Sequence, residues 1–302
     1  MRFLSISVET LRETFDNLDG NVAGSFDVWL VKCEQHLNMI RPMDSSSRSK
    51  FWSKNNIWSE LYPAFSKLSG HKCWYSEAPE NSSEWEIDHY RPKAQSKGED
   101  GKTIRLDGYW WLSYNWKNFR LAGSLVNKRR KERFDSGEEV YGKGIFFPLE
   151  DITNIAMPED WECDVERPLL IDPLKARDVT LISFDCNGEP YPTYNVDDNA
   201  FYNKKAIISI DFYGLKHTPL NRGRTKIWSN CETVVSKAHN YIKNNINDAV
   251  RRDEKIDECY LQLATYSMQN EPYTMVVRNY IKEKLKDKNY SWLAEVELVL
   301  GG

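Results

Sequence analysis

The chain has 302 residues, of which 40% are hydrophobic and 28% charged, and its mean hydropathy is −0.66. This composition excludes a disordered chain and is typical of a folded protein with a sizeable core. No apolar stretch reaches the ~18 residues of a membrane span, and the first twenty residues lack the apolar core of a secretory signal. The six cysteines contain no CxxC pair, which argues against a disulfide scaffold. The sequence therefore predicts a cytoplasmic protein with reduced thiols and no membrane partner.

The N-terminal region, 1–66, is predicted to be helical. Apolar spacing predicts a helix over 17–37 and a second one over 51–68, which Ser69 and Gly70 end. The polar run at 42–50 is predicted to be a loop between them.

The next region, 67–150, changes character. Residues 71–77 and 83–93 are predicted to be strands, and the polar run 97–102 a turn. Residues 124–134 are predicted to form a short basic helix, so that strand, strand and helix follow one another.

Two further regions complete the prediction. Pro, Asp and Gly punctuate 151–215, which predicts short strands and loops. The last region, 216–302, is predicted to be helical in three segments, at 222–252, 255–268 and 273–287.

Charge is distributed unevenly along the chain. Residues 91–133 carry twelve Lys or Arg and four acids, a net charge of +8, although the whole chain has a formal net charge of −4. A basic patch on an acidic body is typical of phosphate binding. A solvated helix face gives the same pattern, so the patch gains meaning only from catalytic residues beside it.

Four residues within or beside this stretch form a candidate catalytic constellation: Asp88, His89, Asn118 and Asn127. Hydrolysis of a phosphodiester needs a base near neutral pH, which histidine supplies, and a hard cation with oxygen ligands, which Asp88 and Asn127 can hold. Asn118 either orients the imidazole or shapes the loop that faces it. Considered alone, each asparagine has a structural explanation: Asn118 could be a turn residue, and Asn127 could cap a helix. The basic residues assigned to nucleic-acid binding are Arg91, Lys93, Lys128, Arg129, Arg130 and Lys131.

The segments HKCWYSE, IDHYRPK, GYWWLSYNWKNFRLAG, LVNKRRKERF and FFPLED resemble those of HNH (ββα-metal) endonucleases. More narrowly, the chain resembles the PtuB-type HNH proteins of Septu and retron antiphage systems over roughly 70–285. The resemblance implies an α+β fold, with a ββα-metal HNH nuclease core at 67–150 and helical N-terminal and C-terminal extensions. It also implies that His89 is the general base, that Asp88 and Asn127 hold one Mg²⁺ or Mn²⁺ ion, and that Asn118 is the middle asparagine. An ATPase partner of the PtuA type is implied as well.

The sequence departs from the family pattern at the structural zinc site that many HNH domains carry. The four ligand positions hold Cys73, Ser76, Gly123 and Val126, and a tetrahedral zinc site needs four ligands. We therefore expect no structural zinc, and packing by four tryptophans in its place: Trp74, Trp85, Trp110 and Trp111. Glu77 is an accessory candidate that could face the metal; the alternatives are a surface acid or an ion pair with Arg91 or Lys93.

The function that these features favour is metal-dependent cleavage of nucleic acid, DNA before RNA, in antiphage defence. An effector that cleaves tRNA or other RNA stays open, because water and not the 2′-hydroxyl is the nucleophile. A non-catalytic adaptor that binds nucleic acid or a partner also stays open, although the intact constellation argues against it.

Overall fold

The structure is a computed structural model that describes residues 1–19, 24–79, 85–131, 140–245 and 248–296. Nine helices lie in these ranges: α1 (Val8–Asp16), α2 (Phe26–Ile40), α3 (Ser45–Lys54), α4 (Tyr62–Leu68), α5 (Ser124–Asn127), α6 (Val196–Phe212), α7 (Thr218–Asn244), α8 (Ala249–Tyr266) and α9 (Thr274–Lys284). Short 3₁₀ turns lie between some of them, among them Ile57–Leu61.

The strands of the described ranges form four two-stranded antiparallel sheets. They pair as β1 (Trp85–His89) with β4 (Phe119–Gly123), β2 (Ser96–Lys97) with β3 (Thr103–Arg105), β5 (Arg130–Lys131) with β6 (Val140–Tyr141), and β7 (Ile182–Phe184) with β8 (Pro190–Pro192). This mixture of helices and small sheets is compatible with the predicted α+β class.

The N-terminal helices differ from the prediction in one element. The polar run at 42–50, predicted to be a loop, contains the start of α3. Asp44 caps this helix by accepting a hydrogen bond from the Ser47 amide at 2.7 Å, and the buried Arg48 lies over the Trp110 ring. The helix predicted to begin at residue 17 begins at Phe26.

The predicted second helix is three pieces, the end of α3, the 3₁₀ turn and α4. Its predicted end is confirmed, since α4 stops at Leu68 and Gly70 follows with a φ of 66°.

Residues 71–77 form a turn rather than the predicted strand. His71 and Glu77 both have positive φ, near 57°, and an extended strand cannot include such residues. The turn packs on the sheet, because the Trp74 amide donates to the Leu121 carbonyl at 2.9 Å. The predicted strand over 83–93 is confirmed in part as β1, which ends at His89 four residues before the predicted end. Residues 83–84 of the prediction lie outside the described residues.

The predicted basic helix is much shorter than expected, since α5 ends at Asn127 and Lys128 is extended. The carbonyls of Val126 and Asn127 accept hydrogen bonds from the amides of Lys143 and Gly144, both at 2.8 Å, instead of from a next helical turn. Residues 132–134 of the prediction lie outside the described residues.

The C-terminal prediction is confirmed in outline by α7, α8 and α9. The sequence did not predict α6, whose cap is Asn195, an acceptor from the Asp198 amide at 2.9 Å. In the described ranges, no helix combines the length and the apolar character that crossing a membrane requires.

The buried apolar side chains of the described residues form two clusters. The larger one joins the N-terminal helices to β1, β4 and the segments up to Val276, and the smaller one lies between α7, α8 and α9. The four tryptophans expected to pack the region 67–150 are all buried. The division into four regions stays a prediction.

Candidate functional site

A cavity of about 1030 Å³ lies beside the end of β1. Its lining comes from several places in the chain: Leu18 and Asp19, six residues between 56 and 63, the run 85–89, the run 92–94, and Asn127 with Gly144 and Ile145. Asp88 and His89 enter it from the last two positions of β1, and Asn127 from the last position of α5. The strand pair β1–β4 followed by α5 therefore brings three of the four constellation residues to one place.

The His89 imidazole packs between the rings of Trp58 and Phe119, each with its centroid 4.9 Å away. Its Nε2 lies 3.0 Å from the Ser113 carbonyl oxygen. Because a carbonyl can only accept, Nε2 carries the hydrogen and Nδ1 is left as the proton acceptor. Burial lowers the pKa of His89 well below its ordinary value, and the nearby charge of Lys93 lowers it further. The ring is therefore neutral at pH 7 and has the form that a general base needs.

Asp88 is 5% exposed and has two hydrogen-bond partners that the sequence does not predict. The Tyr75 hydroxyl donates to Oδ2 at 2.7 Å, and the Lys143 ammonium donates to Oδ1 at 2.8 Å. Lys143 is itself buried and also donates to the His89 carbonyl at 2.7 Å. No motif distinguishes Lys143 from other lysines, because it reaches the site only through the fold.

Asn127 is oriented by a second acid of the same strand. Its Nδ2 donates to Glu86 Oε2 at 2.8 Å, and Glu86 also pairs with Lys128 at 2.5 Å and lines the cavity. Glu86 stands two residues before Asp88, so both lie on one face of β1. Strand alternation is a sequence signal that could have found Glu86.

Asn118 does not contact the imidazole. Its Oδ1 accepts from the Arg91 amide at 2.8 Å, and its Nδ2 donates to the Arg91 carbonyl at 3.0 Å. A longer bond of 3.4 Å reaches the Leu112 carbonyl, next to Ser113. Asn118 was expected either to orient the imidazole or to shape the loop that faces it. The geometry favours the second of these two roles.

The carboxylate of Asp88 and the side-chain amide of Asn127 at the cavity carry oxygen atoms of the type that a hydrated magnesium or manganese ion accepts. Among the described residues, no group of three or more His, Cys, Asp and Glu could hold a metal ion. An ion here would depend on Asp88, whose carboxylate has about four acceptor positions and uses two, and on the amide oxygen of Asn127. Mg²⁺ accepts so few protein ligands because it keeps several waters. The Lys143 ammonium is a competing positive charge beside Asp88.

The six residues assigned to nucleic-acid binding have different surroundings. Lys93 lines the cavity, with Nζ 4.6 Å from the centre of the Trp58 ring, and burial lowers its pKa to about 8. Lys128, Arg129 and Lys131 are exposed, and the Arg129 guanidinium lies over the Phe146 ring at 4.3 Å. The Arg130 side chain lies outside the described part of the structure.

Arg91 needs a correction, because its side chain is only 12% exposed and is held by other residues of the protein rather than presented in the cavity. Its Nε pairs with Glu166 at 2.9 Å, and the aromatic rings of Tyr90, Tyr109 and Phe147 lie around its guanidinium. This pair ties the segment after β1 to residues near 166, a structural role.

Glu77 also needs a correction, because it does not line the cavity. It is buried against the start of α9, where its Oε2 accepts from Thr274 Oγ1 at 3.0 Å and from the Met275 amide at 3.2 Å. Its Oε1 pairs with the Met1 ammonium at 3.2 Å, not with Arg91 or Lys93.

The four zinc-ligand positions come together only in part. Cys73 Sγ accepts a hydrogen bond from the Gly123 amide at 3.3 Å, so one position of each pair is in contact. The absence of a structural zinc stays a prediction.

Comparison with known proteins gives one relation. No protein-family model matches the chain. The chain is 26% identical over 172 residues to the Septu protein PtuB of Bacillus mycoides strain KBAB4. The aligned region covers 55% of this chain and 50% of that protein. The chain thus spans about half the length of the curated relative it matches. This weak similarity supports a relation to the Septu antiphage defence systems.

Proposed function

We propose that the chain is a metal-dependent endonuclease of the HNH type and an effector of a Septu-like antiphage system. The observation that carries the proposal is the convergence of Asp88, His89 and Asn127 on one cavity from a strand–strand–helix unit. The similarity to a Septu protein supports the defence role.

The side chains have distinct tasks in this reaction. Nδ1 of His89 takes a proton from the water that attacks phosphorus, and the bond to the 3′ oxygen breaks. Ser113 holds the imidazole in the required tautomer through its carbonyl. Asp88 and Asn127 would hold the Mg²⁺ or Mn²⁺ ion, which supplies charge stabilisation at the leaving oxygen when bound. Lys93 gives the same cavity a positive charge for the phosphate.

The partner and the compartment belong to the same proposal. We infer an ATPase partner of the PtuA type from the relation to the Septu system, and we place the protein in the cytoplasm with its nucleic-acid substrate. DNA is the favoured substrate, and RNA including tRNA is the alternative.

The test is a cleavage assay of wild type against His89→Ala, alone and with the ATPase partner. Plasmid DNA, single-stranded DNA and total tRNA are offered with Mg²⁺ or Mn²⁺, and with EDTA. Wild type should cut in a metal-dependent way and the variant should lose at least about a hundredfold in rate, the usual contribution of a general base.

The matched control is His239→Ala. His239 stacks on Tyr290 beside the second core cluster, away from the cavity, and its loss should leave cleavage unchanged. Equal activity of wild type and His89→Ala would refute the assignment of the base. An inactive wild type, with and without the partner, would favour the adaptor.

A further inference from the structure

The reactive groups of the candidate site lie in a recess. Asp88 is 5% exposed and His89 6%, and both line the cavity. A scissile phosphate must therefore enter the cavity to meet the base, rather than approach an open surface.

One wall of this recess comes from outside the strand–strand–helix unit. The 3₁₀ turn Ile57–Leu61 and the start of α4 contribute Trp58, Tyr62 and Pro63 to the lining. Trp58 packs on the His89 ring at 4.9 Å, and Lys93 lies over Trp58. The N-terminal helical region thus narrows the approach to the base.

A double helix is poorly suited to such a recess. A cavity near 1030 Å³ is at the upper end of the size that encloses a small ligand, roughly 300–1,000 Å³. Duplex DNA is stiff, with a persistence length of about 50 nm, so its backbone cannot turn sharply into a cavity of this size. An unpaired strand bends freely and brings both a phosphate and its bases.

The lining also suits unpaired bases. The aromatic side chains of Trp58, Tyr62 and Trp85 line the same cavity as Lys93, the cationic side chain among its described lining residues. The acidic side chains of the lining are Asp19, Glu60, Glu86 and Asp88. Aromatic side chains beside a cation are the usual platform for single strands, because each unpaired base exposes a stacking face that a duplex hides.

We infer that the substrate is unpaired at the scissile bond, as single-stranded DNA or as an unpaired loop of RNA. The inference rests on the proposed nuclease function and names its substrate class. Single-stranded DNA and an RNA loop present the same chemistry to the recess, an unpaired nucleotide with its phosphate.

The test compares one sequence in three forms, as a single strand, as a blunt duplex and as a duplex with an unpaired internal loop. Each form is made as DNA and as RNA, and the full chain is assayed with Mn²⁺ and the ATPase partner. The single strand should be cut at least about tenfold faster than the duplex, and cuts in the third form should fall within its loop. The DNA and RNA arms identify the source of the unpaired strand.

The outcomes separate the inference from the function beneath it. A duplex cut as fast as the single strand overturns the inference and leaves the nuclease standing. Failure to cut any form overturns the proposed function. Binding of the same oligonucleotides to the His89→Ala protein, measured by fluorescence anisotropy, tests strand preference without cleavage, and equal affinities for single strand and duplex contradict the inference.

Replacement of Trp58 tests whether the cavity wall formed by Ile57–Leu61 and the start of α4 causes the preference for an unpaired strand. Trp58→Ala should reduce the ratio of single-strand to duplex cleavage at least about threefold, with Trp58→Leu as a second variant that keeps apolar packing. Trp161→Ala is the matched control, because Trp161 is exposed and lies outside the cavity lining. A ratio unchanged in both folded Trp58 variants would contradict the role of the wall.

Discussion

The Asp88 carboxylate and the Lys143 ammonium form a buried ion pair in the candidate site. Each of the two side chains is at most 5% exposed, and their atoms approach to 2.8 Å. A buried charge is tolerated because its partner compensates for the lost hydration, so removal of one partner leaves the other uncompensated. Lys143 is therefore the cation that compensates the buried charge of Asp88.

Lys143→Met should lower the free energy of unfolding by about 3–5 kcal/mol, because Asp88 stays buried without its cation. The double variant Lys143→Met with Asp88→Asn removes both charges and should recover part of the loss. Urea denaturation measures both. Lys216→Met is the control, since Lys216 and Asp211 form an exposed pair at 3.4 Å that contributes at most about 1 kcal/mol. Equal effects of Lys143→Met and Lys216→Met would contradict the prediction.

Asn127 allows a cleaner test of the metal than Asp88, because it carries no charge. Asn127→Ala removes one of the two proposed protein ligands and should raise the metal concentration for half-maximal cleavage at least about tenfold. A Mn²⁺ titration followed by electron paramagnetic resonance measures binding apart from activity. Asn154→Ala, at an exposed loop position, should titrate as wild type does. A normal titration of Asn127→Ala would remove Asn127 from the metal site.

The segment 142–144 is the element that carries Lys143 to the site. Its amides bond to the end of α5, and Gly142 has a φ of 106°. A Cβ at Gly142 would stand 2.2 Å from the Lys128 carbonyl oxygen, which belongs to the backbone and cannot rotate away. Glycine is therefore required for the close approach of this segment to α5.

Gly142→Ala should displace the segment, lower the free energy of unfolding by more than about 2 kcal/mol and reduce cleavage. Gly101→Ala is the matched control: it also has a positive φ, of 77°, but a Cβ there meets nothing within 4 Å. Its cost is the conformational penalty alone, about 1–2 kcal/mol, with cleavage unchanged. Thermal unfolding and the cleavage assay measure both variants. Equal losses in the two would show that Lys128 does not restrict position 142.

The sequence predicts an element when local residue patterns stabilise it, and misses the element when tertiary contacts do. β1 is predictable because alternation and β-favouring residues are local, and Asp88 and His89 follow from a motif within it. α3 was missed because Arg48 and Trp52, both buried, stabilise it through tertiary contacts that a run of serines does not reveal.

Some residues of the candidate site can be recognised from the local sequence, and others only from the folded structure. The sequence names the residues with reactive atoms, but Ser113, Trp58 and Lys143 reach them from distant segments. Their contacts with His89 and Asp88 exist only in the folded chain. Glu86 is the intermediate case, since strand periodicity alone would have placed it beside Asp88.

Glu77 connects distant parts of the chain. Its carboxylate joins the 71–77 turn to the start of α9 and to the Met1 ammonium. Burial by itself would raise the pKa of Glu77, but the Met1 ammonium, Lys72 and the two hydrogen bonds from α9 outweigh it and hold the pKa at about 2. The ordinary value is 4.5, so the folded state favours the ionised form.

Acid should therefore weaken the fold through Glu77. An acid whose pKa is depressed on folding contributes stability above its unfolded pKa, near 4.5, and loses it as pH falls towards 2. Between pH 6 and pH 3 the wild type should lose about 2 kcal/mol more than Glu77→Gln. Urea unfolding at both pH values measures this, with the exposed Glu34→Gln as control. A Glu77→Gln protein as acid-sensitive as wild type would contradict the prediction.

Many of the positive charges of the basic stretch 91–133 are paired with acids in the folded chain. Of its twelve cations, five form ion pairs within the described residues: Arg91, Lys102, Lys117, Arg120 and Lys128. Arg120 is buried, and it donates two hydrogen bonds of 2.7 Å to Asp172 and two more to the Lys117 and Phe119 carbonyls. The net charge of +8 therefore overstates the positive charge available to a nucleic acid.

Two exposed lysines beside α5 are candidates for flanking phosphates: Lys131, and Lys128, which is 58% exposed although it pairs with Glu86. Their joint replacement by Gln should lower the slope of log affinity against log salt by about 0.7–1.4, because a single strand releases about 0.7 counterion per phosphate contact. The binding assay uses the His89→Ala protein, so that cleavage does not interfere. Lys226→Gln with Lys243→Gln removes two exposed lysines of α7 and should leave the slope unchanged. If the Lys128 and Lys131 variant and the Lys226 and Lys243 variant change the slope equally, the affinity depends on the overall charge of the protein. The bound nucleic-acid strand then does not run past α5.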